Sequence, residues 1–223
     1  MRRMLRASGM VVFLASAVTA GTLAFGASAA LAGPCGTPVA AGTSCTLTGT
    51  ATLTGGTLSL TSPASLTWLG SVTGSPQSIV DVVPADQQLL VSDLTGSGSG
   101  WHITTSATTF TSGGNTFPNT GTLVFTGSTS SVTATTAPTV ACVVVLTCTV
   151  PTDTTTYPVA ITTAPAAPTA ATVYDTSTST GIGAILIGGS VTPNPVGWWV
   201  NVPATALAGT YTSTITMQII SGP

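Results

Sequence analysis

Apolar and polar residues alternate along short stretches of this chain, and Gly, Pro, Ser and Thr separate those stretches. Alternation with period two sends successive side chains to opposite faces of an extended segment. Residues 57–61 put Leu58 and Leu60 on one face, and Leu66, Trp68 and Leu69 continue the apolar material after Pro63. Ile79, Val80, Val82 and Val83 form a run stopped by Pro84. The pattern is clearest over residues 89–110. Leu89, Leu90 and Val91 lead to Asp93, then Gly96, Gly98 and Gly100 open a bend, and Trp101 and Ile103 share a face of the next segment, with His102 and Thr104 on the other. This reads as a hairpin with a Gly/Ser bend and a large aromatic planted at the start of the returning strand.

Further strands are predicted around Leu123–Phe125, over 140–150 (the most apolar run), 157–161, 182–187, 198–202 and 210–220. Residues 111–121 read as a polar loop, 128–138 as an exposed Ser/Thr-rich ribbon and 164–171 as a Pro/Ala-rich connector. No segment keeps a helical period and no internal repeat stands out. The expected architecture is an all-β antiparallel β-sandwich of about ten strands, with a partly closed β-barrel as the alternative. The 43% apolar content and positive mean hydropathy support a packed core despite the scarcity of charge.

The N-terminus changes the charge picture. Arg2, Arg3 and Arg6 precede an apolar stretch over 10–25, and Ala27-Ser28-Ala29 and Ala30-Leu31-Ala32 both suit a small-x-small cleavage site. Residues 1–32 are therefore expected to be a secretory signal peptide cut after Ala32. An uncleaved membrane anchor is one alternative. Lipidation is another, but Pro34 stands where a lipoprotein box needs Cys. Those three arginines are the chain's only basic residues, so residues 33–223 hold no Lys or Arg, against Asp81, Asp86, Asp93, Asp153 and Asp175. Nucleic-acid binding, which rests on cations neutralising phosphates, is excluded for the exported chain, as is charge-driven adhesion to anionic lipid or polymer. No membrane contact is expected once the signal is removed.

Cys35, Cys45, Cys142 and Cys148 form an even set in an exported chain, which predicts two disulfides. Adjacent pairing is favoured. However, a straight strand from Cys142 to Cys148 would span about 20 Å at ~3.3 Å per residue. A disulfide brings its Cα atoms to about 4.4–6.8 Å. Either the Val143–Leu146 run bends or the pairing is crossed, and both stay open here. Residues 33–55 read as an N-terminal arm carrying the first pair, and 56–223 as the β domain.

Trp101 is a candidate stacking ring or a core aromatic. Ile103, Met217 and Ile219 occupy strand faces expected to point inward. Trp198 and Trp199 are adjacent and point to opposite sides. Val200 and Val202 share the side of Trp198, so Trp199 and Asn201 face outward, as a saccharide platform or beneath a covering loop. Asp93 is placed to bond backbone N–H groups in the bend. His102 is the one side chain with an unperturbed pKa near neutrality. Catalysis has little to work with: residues 33–223 contain no Lys, Arg or Glu, no nucleophile elbow, and no spacing that marks a pair of aspartates. No cofactor or metal is expected, and the chain reads as a non-enzyme.

Val91, Asp93, Gly96, Gly98, Gly100, Trp101 and Ile103 form a Val-x-Asp-x-x-Gly-x-Gly-x-Gly-Trp-x-aliphatic series. This resembles the first signature of the WxL domain, a Gram-positive cell-surface module. The second signature has counterparts in Val202-Pro203, Gly209-Thr210-Tyr211, Thr216-Met217-Gln218-Ile219 and Ser221-Gly222-Pro223, and the family's first strand in residues 56–60 with Pro63 and Leu66. The likeness spans roughly 55–223 in the right order. Ile103 and Ile219 replace Leu, and Met217 stands where the family carries Trp. The resemblance implies non-covalent attachment to the cell wall, with peptidoglycan as partner and other surface proteins as possible co-partners. No Leu-Pro-x-Thr-Gly sorting signal precedes Pro223, in keeping with that mode. The competing expectation is a structural β-rich surface subunit that self-associates through sheet edges.

Overall fold

The computed structural model describes residues 49–223 apart from 144–146 and 167, together with 33–34, 41–42 and 45–46. The expected signal peptide and Cys35 lie outside the described residues. The chain divides into two units, 1–52 and 53–223. In the first, Gly33–Pro34 pairs in parallel with Cys45–Thr46, and Cys45 is disulfide-bonded.

The second unit is all-β, and its main sheets hold twelve strands among the described residues: β1 (Leu58–Thr61), β2 (Gln77–Val80), β3 (Gln88–Asp93), β4 (Trp101–Thr108), β5 (Leu123–Thr126), β6 (Val140–Cys142), β7 (Val159–Ile161), β8 (Thr163–Ala164), β9 (Ala171–Asp175), β10 (Gly183–Gly188), β11 (Gly197–Val202) and β12 (Ile215–Ser221). A two-rung hairpin, Thr111–Ser112 with Asn115–Thr116, lies in the expected polar loop. Its turn is Gly113-Gly114, both at positive φ, where only glycine is at ease. The described residues contain no α-helix, only a 3-10 turn at Pro84–Gln87.

Three sheets share one apolar core and no barrel closes, as a β-sandwich requires. The first runs β6-β10-β3-β1 and the second β7-β5-β11-β2, both antiparallel. In the third, β12 lies antiparallel along one edge of β4, while β9 and the short parallel β8 share its other edge.

The expected hairpin between β3 and β4 does not form. Both edges of β3 are taken by β10 and β1, and both edges of β4 by β12 and by β9 with β8, so residues 94–100 cross between sheets. The crossing is held by its own hydroxyls. Asp93 Oδ1 accepts from Thr95 N (3.0 Å) and Thr95 Oγ1 (2.7 Å), and contacts then pass through Ser97 and Ser99 to Ser221 at 2.9–3.1 Å. Gly96, Gly98 and Gly100 between them have φ of 67°, 64° and 77°, a left-handed conformation that side-chain-bearing residues resist.

Period two holds where the expected faces pack. Leu89, Val91 and Asp93 of β3 are buried, as are Trp101, Ile103, Thr105 and Ala107 of β4. Each large apolar side chain taken from water contributes about 1.5–3 kcal/mol. A strand that the sequence conceals is β9, whose first residue falls at the end of the expected connector. A bulge between Thr172 and Tyr174 breaks its alternation and turns both Val173 and Tyr174 into the core.

The second sheet is buried on both faces. Phe125 meets Trp198 edge-on at 4.8 Å on the core side. On the other side Val124 and Trp199 lie beneath the segment starting at Ser128, which is a half-buried loop rather than the expected exposed ribbon. Of the long apolar strand expected over 140–150, the described residues show β6 and a bridge from Thr149 to Ile182. The Cys142–Cys148 disulfide, with Cα atoms 5.5 Å apart, settles that pairing as adjacent.

Candidate functional site

The residues singled out from the sequence divide into pillars and surface. Trp101 is 0% exposed. Its Nε1 donates to Gly181 O (2.8 Å), its ring stacks on Tyr174 (5.6 Å, 22°), and its backbone N donates to Thr176 Oγ1 (2.8 Å). It is a core aromatic and offers no open ring face. Ile103 is buried beside Ile219, and Met217 stands next to Thr105, so these motif positions share the inner face of the third sheet. Asp93 is buried and bonds the bend, as expected.

Of the two readings of Trp199, the covering loop is the one found, and the platform is corrected. Trp199 does point away from the core, yet it is only 7% exposed, because its Nε1 donates to Ser128 O (2.8 Å) beneath the 128–138 loop. The amide of Asn201 is also committed, donating to Gly121 O and accepting from Ser78 Oγ, both at 2.6 Å. His102 Nδ1 lies 2.6 Å from Gly222 O, which ties the ring to the C-terminal segment.

A groove of about 1070 Å³ occupies a different place. It is lined by residues 62–72 and 206–213 together with the ends of β11 and β12, including Val200, Val202, Ile215 and Met217. Four aromatic rings run through it in contact: Trp68 meets Phe110 edge-on at 5.7 Å, Phe110 stacks with Phe117 at 6.1 Å, and Phe117 with Tyr211 at 4.0 Å. The polar ends of the outer two are spent on backbone. Trp68 Nε1 donates to Trp198 O (3.0 Å) and Tyr211 OH to Leu207 O (3.2 Å), and with Phe110 and Phe117 buried the half-buried Trp68 and Tyr211 are the rings that keep surface open.

Hydroxyls of Ser62, Ser65, Thr67, Ser71, Thr210 and Thr212 surround the rings, and no charged or amide side chain lines the groove. Leu69 and Leu207 stand at its margin 82% and 58% exposed. Exposed apolar residues gathered around one concavity mark a binding surface rather than scattered surface leucines.

The 62–72 segment has no sheet partner and is fastened by side chains. Thr67 N donates to Asp81 Oδ2 (2.6 Å), and Asp81 Oδ1 accepts from Val83 N (2.8 Å). Gln77 Nε2 donates to Ser71 O (2.8 Å). Asp86 lies close by on the 3-10 turn, where its backbone N donates to Val83 O (3.0 Å). Both aspartates are buried, at 1% and 9% exposure, and neither lines the groove. Burial raises the Asp86 pKa above its ordinary value, and the neighbouring Asp81 charge and hydrogen bond raise it further. Among the described residues no three His, Cys, Asp or Glu side chains converge as metal ligands.

Comparison of the chain with protein-family models, curated proteins and solved structures finds no match. The groove therefore has to be read from its own chemistry. Of its aromatic residues, the sequence had shown Trp68 only as apolar material after Pro63, left Phe117 in a polar loop and noted Tyr211 only in Gly-x-Tyr. A Trp-Leu pair beside Gly70 and outside any alternating run was the available signal.

Proposed function

We propose that this chain is an exported, WxL-like surface module that attaches non-covalently to the cell wall by holding peptidoglycan in the Trp68–Tyr211 groove. The observation that carries the reading is a large uncharged groove that bears the half-buried rings of Trp68 and Tyr211 and is lined by Ser and Thr residues. Sugar rings present apolar faces that stack on aromatics and hydroxyls that bond to Ser and Thr. A chain with no cation after Arg6 suits a neutral glycan better than an anionic polymer. One further fact supports surface residence: the Cys142–Cys148 disulfide, a bond favoured outside the cytosol. Pro63, Leu66, Tyr211 and Met217, all in the motif-bearing segments, line the groove.

The test is co-sedimentation of oxidised protein with purified peptidoglycan sacculi. Leu69→Asp combined with Leu207→Asp alters two exposed margin residues, so folding is expected to persist while binding is lost. Retention of full binding by that folded variant removes the groove from the reading, and a wild-type protein left in the supernatant removes peptidoglycan.

A second reading draws on the same exposed Leu69 and Leu207. In it the groove takes an apolar segment of another surface protein or of a second copy. Sedimentation velocity across a concentration series, without wall material, separates the two: self-association lost in the double variant favours the second.

A further inference from the structure

The groove is selective in what it leaves out. Its lining contains no ionisable acid, no base and no amide side chain apart from the phenol of Tyr211. Residues 33–223 offer no Lys or Arg, and His102 lies outside the lining with its Nδ1 2.6 Å from Gly222 O. Behind the 62–72 wall stands a carboxylate, Asp81, whose Oδ2 accepts from Thr67 N (2.6 Å) next to Trp68. Recognition of an anionic group calls on a guanidinium, an ammonium or the free N–H groups at a helix start. None of these lines the groove.

What the groove offers instead is neutral and two-sided. Ser65, Thr67, Ser71, Thr210 and Thr212 are exposed, and their hydroxyls take no partner among the described residues. A hydroxyl both donates and accepts, so it pairs well with other hydroxyls and with amides, and it does not offset a full charge. The open rings, Trp68 and Tyr211, are linked through the buried Phe110 and Phe117 rather than by direct contact. Ring surface is therefore available at two separate points of one groove.

We propose that the groove binds a neutral strand of N-acetylated amino sugars, spanning more than one sugar unit, and leaves the charged peptide stems of the wall in solvent. Such binding deepens the wall-attachment reading by naming the part of the wall that is held, and it rests on that reading for the source of the strand. The sugars bring apolar ring faces to Trp68 and Tyr211, and hydroxyl and acetamido groups that donate and accept to the Ser and Thr hydroxyls. The acetamido methyl meets apolar surface in Leu69 and Leu207 at the margin. A stem carboxylate would meet an uncharged lining with Asp81 behind it and no cation to receive it.

Trp68 supplies a readout that needs no wall material. Trp101, Trp198 and Trp199 are buried, so among the four tryptophans acrylamide quenching reports chiefly on Trp68. A soluble oligomer of β-linked N-acetylglucosamine is expected to protect Trp68 from acrylamide and to displace most of the oxidised protein from peptidoglycan sacculi. The monosaccharide and a free stem peptide, at the same molar concentration, are expected to do neither. The de-N-acetylated oligomer, whose ammonium groups lose solvation in the groove, is expected to act several-fold more weakly. With no ion pair formed, sacculus binding is expected to hold constant up to about 1 M NaCl.

Sacculus binding that the stem peptide displaces and the oligomer does not overturns the glycan assignment and leaves wall attachment standing. A several-fold loss of sacculus binding with salt, or equal action by the de-N-acetylated oligomer, overturns it in the same way. An oligomer that protects Trp68 in a protein left in the supernatant by sacculi upholds the glycan class and removes peptidoglycan as its source. Neither protection nor sedimentation overturns both.

Discussion

Trp101 shows how much one residue can carry without meeting a ligand. Its indole N–H, its ring face and its backbone are all spent inside the protein, on Gly181, Tyr174 and Thr176. Trp101→Ala is expected to lower unfolding stability by about 3–5 kcal/mol, the usual cost of emptying such a site, as measured by urea denaturation. Below the unfolding transition it should leave the groove's binding intact. At this scale parity was legible in the sequence and exposure was not. Alternation correctly set Trp101 and Ile103 on one face and put Trp198 and Trp199 on opposite sides. That the outward Trp199 would be roofed over depends on Ser128, some seventy residues away, and local periodicity carries no trace of it.

At the scale of elements, glycine decides where segments can touch. Gly197 opens β11 directly beneath the 128–138 loop, and a Cβ there would lie 1.9 Å from Ser128 O. Gly197→Ala is expected to cost roughly 3 kcal/mol, the upper end of overpacking penalties, and to detach the loop. The checks are a lower melting temperature and a red shift in tryptophan emission as Trp199 meets water. The crossing at residues 94–100 carries the converse lesson. Its Gly/Ser composition signalled a bend correctly, but a bend alone does not say whether two strands pair. The edges of β3 and β4 were already claimed by strands remote in sequence, which no reading of residues 89–110 alone contains. The bulge in β9 hid a whole strand by breaking the alternation used to find it.

Across the molecule, composition foretold the all-β class, because β-branched runs between Gly and Pro leave little room for helix. The groove was less legible, since its lining comes from four separated stretches that become one surface only on folding. The lack of Lys and Arg after Arg6 also shifts stability onto burial, and the tyrosines expose this. Burial, and then the charge of Asp153, push the pKa values of Tyr157 and Tyr174 well above the ordinary phenol value. Both phenols are neutral in the fold and ionise near pH 10 once unfolded, so stability is present below that pH and is lost as pH rises beyond it. In an alkaline titration the tyrosinate absorbance of these two residues is expected to rise together with loss of the β-sheet circular dichroism. A tyrosinate signal from both that completes before the dichroism changes would contradict their burial.

The sheet topology has a consequence for how the molecule is made. β2 pairs only with β11, β4 waits for β9 and β12, and the first sheet is incomplete without β10. A ribosome releasing this chain from its N-terminus therefore emits well over half of it before any of the three core sheets can be completed. Contacts so distant in sequence make folding slow. Such a delay leaves the new polypeptide open, with closure of the core deferred until the last strand has arrived.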